Sequence, residues 1–432
     1  MSPQYKISLL ELLWQYKHDF FVNMPTTNSS IVSIKEFGSE ACDKISASYD
    51  GVVIEENGVI KKGSIKFFDS KENFRKWKEQ NPISYRYIIL AICCDNKIIN
   101  EKYGDFSIAI VDIPDKLNKL YLSLIYSQYS CAQILASFDS FKLESILTRL
   151  VIERLEQKEE GLKRIYNTFE EDENELLLHT IFDTMLIGTK NREPMGELFK
   201  TINGSSILRL LQAESHYEAL LLGASGLLDE IPLLDEYLCS LRRVYREIAS
   251  RYSISTMNPR RWAHSSSTPR QTIWVMLSHL ASFLFHHQNL LFKVIEIDDY
   301  SKMLELFNVP LCNYWQEHNY PSKIYPANSK INSLPKVRRS GIVVNGIVPF
   351  LFFYKREVAK VDFSETADLV LDLLFKAEKE SNGLINKWTG EGVSNRNAFD
   401  SQALIQLTKC YCKMEACAKC PIGISRLLKA LD

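Results

Sequence analysis

The chain has 432 residues, of which 46% are hydrophobic and 24% charged, and its formal net charge is −1. This is ordinary globular composition, long enough for two or three domains with sizeable cores, and it excludes a largely disordered chain. It also excludes a global electrostatic field that would draw DNA or a membrane, so any anion must be bound by a local patch.

At the N-terminus, Lys6 precedes a short apolar run that Glu11 breaks, with His18 and Asp19 close behind. No export signal is expected from that pattern, and the protein is placed in the cytoplasm. Leu9 to Tyr16 reads as a short helix. Val52-Val53-Ile54 and Val59-Ile60 flank Asn57-Gly58, a strong hairpin signal whose second arm continues through Ile65-Lys66-Phe67. Ser70 is placed to cap a helix through Phe74 and Trp77 that ends before Asn81-Pro82. Tyr85 to Cys94 is apolar enough for a central strand. Phe106 to Val111 predicts another strand, and a helix follows from about Lys116.

From about residue 140 the period becomes helical, with Leu143, Leu147, Leu150, Leu155, Leu162 and Ile165 along one face. The acidic run Glu170 to Glu175 fits the positive end of the next helix dipole. Further helices are expected at about 194–202, 205–212, 214–227, 232–252 and 272–293. The small residues Gly223-Ala224-Ser225-Gly226 suggest close helix packing. The most apolar stretch, Trp274 to Phe292, carries His279, His286, His287, Gln288 and Asn289, so it reads as a buried helix and not a membrane span. Residues 319–340 read as a proline-containing loop. Ile342 to Tyr354 is apolar and interrupted by Gly346 and Pro349, and helices resume at about 364–380 and 400–411. The expected class is α+β: a mixed sheet domain over 1–130, a mainly helical domain over 140–318, and a segment over 319–432 ending in a cysteine cluster.

Between Arg242 and Arg270 lie seven arginines and one acid, Glu247. Guanidinium forks match phosphate oxygens, and an aromatic ring can stack on a base. Arg242, Arg243, Arg246, Arg260, Arg261 and Arg270 are therefore candidate phosphate contacts, with Trp262 as a stacking platform. Arg338 and Arg339, beside Lys330 and Lys336, form a second basic segment. Nucleic acid is the expected partner. The alternative, a solvated helix whose arginines pair with acids elsewhere, stays open at this point.

Ten cysteines are present, at 42, 93, 94, 131, 239, 312, 410, 412, 417 and 420. Cys93 and Cys94 close an apolar run and read as buried small hydrophobes. Cys410, Cys412, Cys417 and Cys420 crowd together, and the C-x4-C-x2-C spacing suits a zinc ion or an iron–sulfur cluster. Cys410 is the weak member, because one residue separates it from Cys412; the fourth ligand could be distant or absent, and reduced structural thiols remain an alternative. No Gly-rich phosphate loop, HExxH or G-x-S-x-G occurs, and no catalytic residue is assigned.

Several segments together resemble a family of bacterial proteins, the domain-of-unknown-function family two-eight-five-one. They are Leu12-Leu13-Trp14, Tyr217 to Leu228, Asn345 to Phe352, and Asp400 to Ile405 running on to Tyr411-Cys412, Cys417, Cys420 and Ile422-Gly423. The resemblance implies that Cys412, Cys417 and Cys420 belong to the family pattern and that Cys410 stands outside it. It further implies a nuclease-like sheet in which carboxylates hold a divalent ion. Here the expected Glu-x-His is Lys66 and Phe68, so the constellation is broken, although Asp50, Glu55 and Glu56 remain nearby. A later family pattern is also eroded, leaving Pro269, Arg270, Thr272 and Ile273, with Trp274 in place of an arginine. The resulting expectation is a binding protein on a degenerate nuclease-like core, with two alternatives: a divergent metal-dependent hydrolase using Asp50, Glu55 and Glu56, or a scaffold for protein partners.

Overall fold

The computed structural model describes residues 4–41, 47–82, 84–94, 107–126, 131–202, 204–230, 235–263, 272–325 and 333–431. The chain is α+β and divides into two units: Met1–Thr148 with Gly383–Ser394 and Leu404–Asp432, and Arg149–Asn382 with Asn395–Ala403. The segment 319–432 that the sequence reading treats as one piece is thus shared between them.

The first unit is built on a seven-stranded sheet. Its elements in order are α1 (Gln4–Tyr16), β1 (Ile31–Glu36), β2 (Ser48–Glu56), β3 (Val59–Phe68), α2 (Lys71–Gln80), β4 (Ile88–Cys93), β5 (Ile108–Ile110) and α3 (Asp115–Tyr126), with two-residue strands at Met24–Pro25 and Ser39–Glu40. β1, β2 and β3 pair antiparallel, whereas β4 and β5 join in parallel. The turn between β2 and β3 places Asn57 at φ 49° and Gly58 at φ 80°, the paired left-handed conformation that a two-residue hairpin needs. This sets the register Glu56 opposite Val59. Ser70 caps α2 by accepting from the Asn73 amide at 3.3 Å.

Both faces of β3 and β4 are covered. Ile65, Phe67, Leu90 and Ile92 pack with Leu9, Leu13 and Trp14 of α1 and with Leu117, Tyr121 and Leu124 of α3. Phe68, Ala91, Cys93 and Ile108 pack on the other side against Phe74 of α2 and its neighbour Trp77. This two-sided cover explains why β4 reads as a continuous apolar run and lacks a polar alternation. Each fully buried large side chain contributes about 1.5–3 kcal/mol.

The second unit is helical. The helix Glu214–Ala224 is buried along nearly its whole length, and a Cβ on Gly223 would lie 2.0 Å from the Tyr245 ring, the close packing that its small residues suggest. The acidic run caps as expected: the Asp172 side chain accepts from the Glu175 amide at 2.9 Å. Three expectations are corrected. The stretch 272–293 is two helices, Ile273–His286 and Leu290–Glu296, broken at His287. The expected loop over 319–340 contains a short strand pair, His318–Tyr320 with Lys323–Ile324, and a helix from Lys336 that carries Arg338 and Arg339. The apolar segment after it stays helical through Val358. Its Pro349, which lacks an N–H, is accommodated by a wide π turn over Val343–Ile347 that ends with the Val348 amide donating to the Val343 carbonyl.

In the core of the second unit the Glu218 carboxyl group is held almost wholly out of water. Glu218 is 1% exposed and accepts from Tyr237 Oη at 2.6 Å, from the Cys312 thiol at 3.6 Å and from Trp315 Nε1. Burial raises its pKa by more than these donors lower it. The folded state therefore favours the protonated acid, and the stability this gives is complete below the ordinary value of 4.5 and is lost as pH rises through the folded pKa. Glu218→Gln cannot ionise and so escapes the loss that wild type suffers as pH rises. Its stability relative to wild type should improve as pH rises above the ordinary value of 4.5, read as urea midpoints; a difference independent of pH would contradict the assignment.

Candidate functional site

The hairpin carries Asp50, Glu55, Glu56 and Lys66, the residues on which the sequence-based expectation of a nuclease-like sheet rests. Asp50 Oδ1 accepts from Ser64 Oγ at 2.5 Å, on the strand pair where Ser48 lies opposite Lys66. Lys66 is buried, with Nζ 5.2 Å from the centroid of the Trp77 ring. A buried ammonium here repels a divalent cation. The other two carboxylates lie at the far end of β2. Glu55 pairs with Lys35 at 2.6 Å. Glu56 accepts from Ser30 Oγ at 2.6 Å, from Ser107 Oγ, and from Lys61 Nζ at 2.7 Å. Burial opposes its ionisation, but those donors overcome the cost and hold its pKa below the ordinary value. With about 3.3 Å per strand residue, Asp50 and Glu56 are roughly 20 Å apart along β2. Asp50, Glu55 and Glu56 therefore cannot ligate one ion, whose oxygen ligands must lie within about 2.6 Å of it.

The arginines do not act as one group. Arg242 is engaged by the fold, its Nε donating to the Leu228 carbonyl at 2.7 Å. Arg261 forms a fork on Glu197 and reaches Glu193 at 3.3 Å. Arg338 donates to the Ile187 carbonyl at 3.2 Å, and burial lowers its pKa. Arg339 reaches the Leu304 carbonyl at 3.4 Å and Glu305 at 3.7 Å. Trp262 is 3% exposed and donates from Nε1 to the Ser225 carbonyl at 2.9 Å, so its ring is part of the core and has no face for a base. Its segment is clamped by Asn191, which exchanges two hydrogen bonds with the Ala263 backbone. Arg270 lies outside the described residues. What remains is Arg243, Arg246 and Arg260, joined by Arg251; all four are exposed, and none has an ion-pair partner among the described residues. Arg243 and Arg246 project from the helix Glu236–Tyr252 opposite its buried stripe of Leu238, Leu241, Tyr245 and Ile248.

The cysteine cluster is rearranged relative to the sequence reading. Cys412, Cys417 and Cys420 line one small cavity of about 20 Å³ with Leu124, Leu407 and Tyr411, and the fourth cysteine on its wall is Cys131. Cys410 is not on that wall, although it lies in the same π turn, Leu407–Cys412. Burial raises the Cys412 pKa, and the neighbouring Cys420, Cys131 and Cys417 raise it further. Burial, with Cys131, Cys420 and Glu415 nearby, pushes Cys417 up to about 12. The loop is fixed to the first unit. Tyr121 Oη donates to the Glu415 carbonyl at 2.7 Å, and Lys419 pairs with Glu11 at 3.3 Å. A Cβ on Gly423 would sit 2.0 Å from the Cys417 carbonyl, so the helix Pro421–Lys429 starts hard against the cysteine loop. Among the described residues, no three His, Cys, Asp or Glu side chains are grouped to hold a metal ion as they stand. The thiols thus surround a space and do not yet form a finished coordination sphere.

Sequence reasoning missed Cys131. It is one of six scattered cysteines, and its only signal was the odd fit of Cys410. It also gave no sign of a cavity of about 390 Å³ in the second unit, whose lining includes Arg209, Tyr217, His287 and Phe292. Burial pushes His287 down to about 4, so it is neutral there. His279 is in the core, pushed down to about 3, while His286 is exposed at its helix end. Among the described residues, no helix is long and apolar enough to cross a membrane. The placement of Trp262 makes it a stability residue: Trp262→Phe strands the Ser225 carbonyl and should cost about 1–3 kcal/mol in urea unfolding while leaving any anion affinity unchanged.

No curated protein matches the chain, and no solved structure does. A family model described as "Protein of unknown function (DUF2851)" matches residues 8–383, a span that includes the hairpin, Cys131 and the arginine helix and stops short of Cys410 to Cys420. With 8–383 of 432 residues matched, the chain belongs to the DUF2851 family.

Proposed function

We propose that the protein binds polyanions, nucleic acid foremost, and holds them in the cytoplasm without cutting them. The observation that carries this reading is the set of exposed guanidinium groups on Arg243, Arg246, Arg251 and Arg260, which no carboxylate among the described residues neutralises. Guanidinium groups without internal partners remain available to phosphate oxygens. The want of cutting follows from the hairpin, where Asp50 is bonded to Ser64 and a buried lysine occupies the position of the expected second acid. Binding would be through the backbone, because Trp262 is buried and its ring is not offered to a base, and little sequence preference is expected.

The test is fluorescence anisotropy with a labelled single-stranded oligonucleotide across a salt series. Wild type should bind at low salt with an affinity that falls as salt rises. The triple variant Arg243→Ala, Arg246→Ala, Arg260→Ala should bind more weakly, and the slope of log affinity against log salt should be shallower by about 2. Adding magnesium or manganese should leave the oligonucleotide intact. Wild-type affinity in the triple variant, or no binding at low salt, would overturn the proposal.

A further inference from the structure

We infer that Cys131, Cys412, Cys417 and Cys420 together form a four-thiolate metal centre, for a zinc ion or an iron–sulfur cluster, that fastens the C-terminal segment to the sheet unit. The inference starts from the shared wall. Four cysteines border one cavity, three of them separated by four and two residues and the fourth contributed from 281 residues earlier in the chain. Four thiolates are the full ligand set of a structural zinc site and also of the common iron–sulfur clusters. The cavity of about 20 Å³ has room for a body the size of one water molecule, so a single ion fits there once the thiols turn toward it. A cluster would need the thiols to move apart.

The supports around the cavity are of the kind a metal site needs. Cys131 and Cys417 pack against the apolar core that includes Leu124, Ala418 and Leu427. Cys420 immediately precedes the nine-residue helix Pro421–Lys429, which fixes its backbone. The loop between Cys412 and Cys420 is closed on itself by the Ala416 amide on the Tyr411 carbonyl and the Cys420 amide on the Ala416 carbonyl. It is tied down by the Tyr121 and Glu11 contacts described above. Cysteine has three staggered χ1 positions, so thiols on a common wall can turn toward a centre without moving the backbone. On binding, each thiol releases its proton to solvent as its sulfur bonds the metal; zinc binding transfers no electron, and a cluster would draw iron and sulfide from outside.

The experiment uses the full chain, purified without oxygen and assayed for zinc, iron and acid-labile sulfide, then reloaded with zinc alone or with iron and sulfide. Wild type should carry, or take up, one centre per chain, and the elemental result separates zinc from a cluster. Cys131→Ser should lose most of the metal, as should Cys412→Ser, Cys417→Ser and Cys420→Ser, while Cys410→Ser should retain it. Since a serine variant can fail to fold, alkylation of wild type is read by mass spectrometry with and without metal. Cysteines 131, 412, 417 and 420 should be protected only in the loaded protein. A wild type that takes up neither metal, full metal content in Cys131→Ser, or protection of Cys410 in place of Cys131 would overturn the inference.

Discussion

The first unit depends on the double pairing of β3. Its hairpin with β2 is antiparallel and set by Asn57 and Gly58, whereas its other edge takes β4 in parallel after the α2 crossover. A strand shared in this way must be apolar toward both α1 and α2, and Ile65, Phe67 and Phe68 meet that demand. The same pairing fixes where Ser64 and Lys66 lie. Because side chains alternate, Ser64, Lys66 and Phe68 share one face with α2. A lysine on this face is costly to bury unless its charge is compensated, and the Trp77 ring supplies part of that compensation. Lys66 is thus integrated into the packing of α2.

The arginine stretch illustrates how a count of charges overstates a binding surface. Guanidinium groups are satisfied in three distinct ways here. Arg242, Arg338 and Arg339 donate to main-chain carbonyls, those of Leu228, Ile187 and Leu304. Arg261 is held by two glutamates, an exposed arrangement worth little in stability but enough to occupy the fork. Among the described arginines of the stretch, those on the outer face of the helix Glu236–Tyr252 and the residue after Pro259 leave the charge to solvent. An electrostatic site is defined by what remains after these internal obligations are met, and sequence alone does not reveal them.

The parts of the fold legible in the sequence are those fixed by local chemistry. The Asn57-Gly58 turn, the Ser70 cap, the Asp172 cap and the two-sided apolar run of β4 all follow from a few adjacent residues. The parts that were not legible depend on partners distant in sequence. Pro349 signals an interruption, yet the surrounding helix continues because a single wide turn relieves its missing donor and because Val343 to Phe353 is almost entirely buried. Trp262 sits in a polar, basic context that suggests exposure, and its burial is decided by Ser225 and Asn191, well upstream. Cys131 could be joined to the C-terminal thiols only through tertiary structure, since nothing in its neighbours distinguishes it from the other scattered cysteines.

The two chemistries suggested by this chain are therefore organised differently. Polyanion binding would rest on a few exposed charges that need only stay solvated, so substitution there should alter affinity and leave folding intact. The thiol site draws on the packing of the first unit itself: Cys417 and Ala418 belong to the same core as Leu9, Trp14 and Ile65. A ligand bound there would act on the stability of the sheet unit, because the groups that hold it are also the groups that keep the terminal helix in place. Gly423 makes the coupling concrete. Its missing side chain lets the terminal helix meet the Cys417 carbonyl, so any shift of that helix displaces a cysteine of the cavity wall as well.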